Sequence, residues 1–97
     1  MKLRYTERAL ADLEAIQAYI ARYNPRASQA VGERIRGTIE LLADFPGLGR
    51  TRDKETRILP MAGNPYVVYY SVDAKEDEVI ILHVRHGRRR EPKAGEV

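Results

Sequence analysis

The hexapeptide Phe45-Pro46-Gly47-Leu48-Gly49-Arg50 divides the chain into two halves of different hydrophobic period, and that change of period sets the fold class. Proline disfavours helical geometry in the residue before it, so Pro46 with Gly47 closes a helix. Upstream of this stop, Val31, Ile35, Ile39, Leu42 and Phe45 line one face of a helix that opens at Asn24-Pro25. Asparagine is a good cap, and proline at the first helical position lacks an N–H that would have had no partner. Further back, Leu10, Leu13, Ile16, Ile20 and Tyr23 recur at helical spacing, with Thr6 placed to cap a first helix. Residues 2 to 5 alternate as a short strand. The two helices are expected to form a hairpin. Gly32 and Gly37 each cost roughly 1 kcal/mol relative to alanine inside a helix, for which close approach of the first helix or the sheet is one reason and simple tolerance the other.

Downstream the period is two. Thr56 to Pro60, Tyr66 to Val72 and Val79 to Arg85 are expected as strands, separated by Met61-Ala62-Gly63-Asn64-Pro65 and by the acidic run Asp73 to Glu78, a solvated hairpin tip. Together they form an antiparallel meander. Both helices have apolar stripes to cover, and one face of this sheet is the available partner. The expected fold is therefore α+β: an N-terminal strand, then an antiparallel helical hairpin packed on one face of an antiparallel sheet, in the order β-α-α-β-β-β. A single domain over residues 1 to 92 and a mobile tail at 93 to 97 follow from the loss of apolar periodicity beyond Gly87. Alternation along the last strand puts His83 on the face of Val79 and Ile81, where a lone histidine is a packing residue.

Composition narrows the function. A hydrophobic fraction of 43% and a charged fraction of 32% belong to a folded soluble domain and leave no apolar run for a membrane span. The amino terminus intersperses charges among its apolar residues, so no secretion signal is expected, the mature chain is expected to begin at or near Met1, and the location expected is cytoplasmic. The absence of cysteine excludes disulfides and thiolate chemistry. His83 and His86 alone make neither a zinc site nor a triad, so no metal and no cofactor are expected. The formal charge is +3 with a pI near 9.4, and the excess sits late: Arg85, Arg88, Arg89, Arg90 and Lys93 stand against Glu91 and Glu96. Such a cluster seeks phosphates or carboxylates. Tyr66, Tyr69 and Tyr70 are expected to pack within the sheet, and Asp12 and Glu14, two apart on a helix, are expected to be solvated and not to act as an acid pair.

Five stretches stand at the joints of this pattern. They are Ala9-x-x-Asp12-Leu13-x-x-Ile16-x-x-Tyr19-Ile20, the hexapeptide above, Arg57-x-Leu59-Pro60, Tyr66-Val67-Val68-Tyr69-Tyr70, and Val84-Arg85-His86-Gly87-Arg88-Arg89. In that order and spacing, across residues 1 to 92, the chain resembles the RelE/ParE family of toxins of type II toxin–antitoxin systems, and is closer to the ParE branch. The resemblance implies a growth inhibitor neutralised by a cognate antitoxin, its partner in a hetero-oligomer, with no membrane and no small-molecule substrate involved. ParE-like members are associated with plasmid stabilisation and with blocking DNA gyrase. RelE-like members enter the ribosome and cut messenger RNA.

The branch decides whether the chain is an enzyme. RelE-like enzymes carry an arginine directly after the tyrosine of the third strand and a tyrosine near the chain's end. Here Val67 follows Tyr66, and no tyrosine follows Glu91. Arg57 and Arg89 keep basic positions of the nuclease pattern, but arginine binds phosphate without giving up its proton. The leading expectation is a non-enzymatic, ParE-like inhibitor of DNA gyrase whose target-binding residues are Arg57, Arg85, His86, Arg88, Arg89 and Arg90. The alternative is an endoribonuclease using Arg57, His83, His86 and Arg89 on the ribosome and messenger RNA. A third possibility is an inactive module that keeps only the antitoxin interface.

Overall fold

Thr6 ends a strand and starts a helix with the same side chain. Its extended backbone (φ −71°, ψ 160°) leaves the hydroxyl free to accept from the Ala9 N–H, which satisfies one of the helix's orphan donors. The computed structural model describes residues 1–63 and 65–87. In order they form β1 (Lys2–Tyr5), α1 (Glu7–Ala21), α2 (Pro25–Asp44), β2 (Arg50–Thr51), β3 (Arg57–Pro60), β4 (Tyr66–Asp73) and β5 (Glu78–His86). The expected mobile tail at 93–97 lies outside the described residues.

The helical hairpin and the meander match the sequence expectation. The sheet does not match in two respects: β2 adds a short edge strand, and the sheet is mixed. Its order is β1-β5-β4-β3-β2, with β1 parallel to β5 and every other pair antiparallel. The meander leaves the outer edge of β5 open, and β1 runs along it only from Glu78 to Ile81. There Thr6 turns the chain into α1, and the helix takes the place a longer strand would have filled.

The core lies between this sheet and the helices. Ala9, Leu13, Ile35, Ile39 and Leu42 from the helices meet Tyr66, Val68, Tyr70, Val79, Ile81 and Val84 from β4 and β5, all buried. Leu10, Tyr23 and Phe45, expected in the helical stripes, are instead exposed. Ala9 is small enough to take the inward position beside Leu10. Tyr23 lies past the last residue of α1, and Phe45 is the cap of α2, where the backbone has left helical geometry (φ −129°, ψ 68°).

The two glycines of α2 separate. A side chain at Gly32 would run into the amide of Gln17 on α1, and the neighbouring Ser28 hydroxyl donates to Gln17 O at 2.7 Å. The helices approach closely at Gly32, and a Cβ there would displace the end of the flexible Gln17 side chain. Gly37 is exposed, with open space around the position of a Cβ, so close approach is absent there.

One irregularity in β5 redirects its side chains. The β4–β5 register runs Tyr70↔Ile81 and then Tyr69↔His83, so Leu82 is an extra residue. A bulge of this kind breaks the alternation of faces. His83 consequently pairs with Tyr69 on the face away from the helices, contrary to the alternation from Val79 and Ile81, while Val84 returns to the core opposite Val68.

Candidate functional site

Tyr69 is 1% exposed although, among the described residues, no helix covers its face of the sheet. Its cover is cationic. Arg52 and Arg85 each place a guanidinium 5.5 Å from the centroid of the Tyr69 ring, and Arg85 Nε donates to the Tyr69 hydroxyl at 2.9 Å. Aromatic faces attract guanidinium groups, and arginine stems shield apolar surface while keeping their heads near water. Cross-strand pairing extends the row: Arg50 lies opposite Ile58, Ile58 opposite Tyr69, and Tyr69 opposite His83. The open face therefore carries Arg50, Arg52 and Arg85 around a tyrosine–histidine pair whose rings are 5.5 Å apart.

His83 is engaged at both ring nitrogens. Nδ1 lies 2.6 Å from Asp12 Oδ2, and Nε2 lies 3.4 Å from Arg8 Nη2. Guanidinium groups have only donors, so this arrangement is met by a ring that donates from Nδ1 and accepts at Nε2. Asp12 Oδ2 also accepts the Val84 N–H at 3.0 Å. Thr6 Oγ1 donates to Ile81 O and Leu82 O at 2.8 and 3.1 Å. Two side chains from the start of α1 thus satisfy the edge of β5 just where β1 stops. Edge strands left bare invite mispairing, and this is one way of closing them.

Beside this edge runs a groove of about 560 Å³ between the flank of α1 and the end of β5, lined by Asp12, Ile16, Tyr19, Tyr66, Arg85 and His86 among others. His86 pairs with Tyr66, and their rings meet edge to face at 5.6 Å. A second cleft of about 650 Å³ lies at the other end of the sheet, between the 51–57 segment and the β4–β5 turn. It mixes Lys54, Arg57 and Lys75 with Asp53, Glu55 and Asp73. The Asp53 carboxyl is held below the usual range chiefly by the Glu55 N–H, with the Thr56 N–H adding to it. Among the described residues no three imidazole or carboxylate side chains are placed to hold a metal ion.

Of the site residues expected from sequence, the fold brings His83, Arg85 and His86 to one end of β5, with His83 and Arg85 on the open face. Arg57 is elsewhere. Its register partner is Tyr70, on the helix side, and its guanidinium donates to Gly49 O at 2.7 Å. The Tyr70 hydroxyl accepts from Gly49 N and donates to Pro46 O, both at 2.8 Å, so Arg57 and Tyr70 together fasten the hexapeptide that divides the chain. Arg88, Arg89 and Arg90 lie outside the described residues. Sequence reasoning missed Arg8 and Arg52, and it expected Asp12 to be solvated, whereas that carboxylate is held by His83 and the Val84 N–H. Asp12 stood inside a quoted motif, but its histidine partner is 71 residues away and no spacing signals the pair.

Known proteins resemble this chain in sequence and fold. The family model described as the ParE toxin of the type II toxin–antitoxin system parDE matches residues 3–91. A candidate toxin of Sinorhizobium fredii, Y4kP, is 38% identical over 93 residues, covering 95% of this chain and 94% of the relative. Toxin RelE2 of Caulobacter vibrioides is 38% identical over 85 residues, covering 88% and 93%. Among solved structures, the chromosomal ParDE toxin–antitoxin system of P. aeruginosa contains a chain that superposes with a TM-score of 0.75 at 26% identity, covering 89% of this chain and 95% of that one. With an arginine-flanked open sheet face, a helical hairpin on the other face and these relatives along nearly its whole length, the chain belongs to the ParE toxin family, within the RelE/ParE toxins of type II toxin–antitoxin systems.

Proposed function

We propose that this toxin arrests growth in the ParE manner, by binding DNA gyrase rather than by cutting RNA, and that a cognate antitoxin neutralises it. The observation that carries the proposal is the commitment of His83, whose two ring nitrogens face Asp12 and Arg8. A carboxylate on Nδ1 is compatible with a general base, but the Nε2 lone pair such a base would use faces the Arg8 guanidinium at 3.4 Å, which supports a packing role for this histidine. Arg57, the other described member of the nuclease set besides His86, is tied to Gly49 O on the opposite face. What the open face offers is binding power: Arg50, Arg52 and Arg85 form a cationic surface suited to a large anionic or protein target. The family match and the ParDE relative support the same reading.

Supercoiling of plasmid DNA by purified gyrase tests it. Added toxin is expected to inhibit supercoiling or to trap cleaved DNA, and Arg85→Ala to weaken that effect at least tenfold. Full supercoiling at toxin in large excess over gyrase would count against the gyrase proposal. Cleavage of messenger RNA on ribosomes, lost in Asp12→Asn, would instead favour the nuclease reading.

A further inference from the structure

Tyr69 and Tyr70 stand side by side on β4, and their hydroxyls serve opposite faces of the sheet. The Tyr70 hydroxyl is bonded to Gly49 N and Pro46 O, so it holds a loop. The Tyr69 hydroxyl holds a charge. It accepts from Arg85 Nε at 2.9 Å, and the same guanidinium lies 5.5 Å from the ring centroid. Packing alone does not ask for that hydroxyl. A phenylalanine would fill the same apolar space and present a similar face to a cation, whereas a hydroxyl taken out of water is unfavourable unless it is bonded. Tyr69 is 1% exposed, so its oxygen is committed to the partner the fold supplies.

From this geometry we infer that Tyr69 is a positioning residue for target binding: it fixes the aim of Arg85 on the open face without itself being presented to a partner. The inference rests on the reading that this face meets the target. An arginine side chain is long and rich in rotamers, so holding it to a partner weakens binding unless the chain is ordered beforehand. Three contacts order Arg85. Nε donates to the phenol, Nη1 donates to His86 O at 3.1 Å, and the ring attracts the cation. Two donors bonded on one planar group set its plane as well as its place. The ring is held in turn. Tyr69 pairs with His83 across the strands, the ring centroids are 5.5 Å apart, and Asp12 Oδ2 lies 2.6 Å from His83 Nδ1. A chain of contacts therefore runs from α1 through His83 and Tyr69 to Arg85. Arg52 shares the ring, with its guanidinium also 5.5 Å from the centroid, so a shift of the ring would reach both cations.

Tyr69→Phe tests the inference, because it keeps the ring and removes the acceptor of Arg85 Nε. In nitrogen-15 spectra of the full chain, the Arg85 Nε–H is expected to exchange with water at least about tenfold faster in this variant than in the wild type. The toxin concentration that half-inhibits gyrase supercoiling is expected to rise about fivefold, and adding Tyr69→Phe to Arg85→Ala should change it by less than about twofold, since both substitutions remove one device. Tyr70→Phe supplies the contrast. It strands the buried Gly49 N–H, whereas the part-buried Arg85 Nε can turn to water, so Tyr70→Phe should lower the melting temperature more than Tyr69→Phe does. Well below that temperature it should leave the Arg85 Nε–H exchange and the potency as in the wild type. If gyrase does not respond to the wild-type toxin, the target reading fails, and potency is read instead as colony formation after induction, with the same order of variants expected. Equal Nε–H exchange in wild type and Tyr69→Phe, a Tyr69→Phe toxin as potent as wild type, or losses that add in the double variant would each overturn the inference.

Discussion

Asp12 does at residue scale what strand pairing does elsewhere in the sheet. One carboxylate oxygen takes both the Val84 N–H and His83 Nδ1, so Asp12→Ala leaves a strand-edge donor and a buried ring without their acceptor. Hydrogen bonds to charged groups contribute about 1.5–3 kcal/mol each, and the pair shares one oxygen, so a loss of about 2–3 kcal/mol is expected in urea unfolding. Asp12→Asn keeps an acceptor and should cost less. Asp53 gives a pH-dependent counterpart. Its folded pKa lies below the unfolded carboxylate value because the Glu55 and Thr56 N–H groups favour the charged form. The stability it contributes is therefore present above the unfolded value and lost as pH falls through the lower folded one. The stability difference between wild type and Asp53→Ala is expected to hold at neutral pH and vanish in strong acid, as read from urea midpoints across that range. Neither role was legible in the sequence. The apolar periodicity of α1 announces which residues face the core, but nothing local says that Asp12, on the flank of that stripe, reaches a strand most of the chain away.

At the scale of elements, the joints were more legible than the faces. Pro46-Gly47 marks the end of α2 because proline acts on its neighbour's backbone, a local effect, and the caps at Thr6 and Asn24 are local too. Thr6→Ala is expected to cost about 1–2 kcal/mol, a cap's usual contribution, with a further loss from the two β5 carbonyls its hydroxyl serves. The parallel pairing of β1 with β5 and the bulge at Leu82 depend on where distant strands meet, so alternation alone set His83 on the wrong face. The junction after α2 is equally non-local. A Cβ on Gly49 would stand 2.8 Å from Ile58 O and 2.7 Å from the Tyr70 hydroxyl, so Gly49→Ala should be more destabilising than Tyr70→Phe. The latter removes one hydroxyl and leaves the Gly49 N–H without its acceptor, a loss of about 1–3 kcal/mol. Thermal unfolding of the two variants checks the order.

At the scale of the whole molecule, one layer of helices leaves one face of the sheet open among the described residues, and the guanidinium groups of Arg52 and Arg85 lie over Tyr69 there. Lysine does not fork or stack as arginine does. Arg85→Lys is therefore expected to keep the charge yet lose most of the toxicity, measured as colony formation after induction, whereas a pure charge requirement would leave toxicity intact. The family and the α+β architecture could be recognised from the order of the motifs. The arginine–tyrosine–arginine stack could not, because Arg52 belongs to a loop with no periodic signal. The most direct measurement follows plasmid topology and transcript integrity in one culture that expresses the chain without an antitoxin. Growth arrest with relaxed or cleaved plasmid and intact messenger RNA is the expected result; fragmented messenger RNA with unaltered plasmid topology would contradict the account.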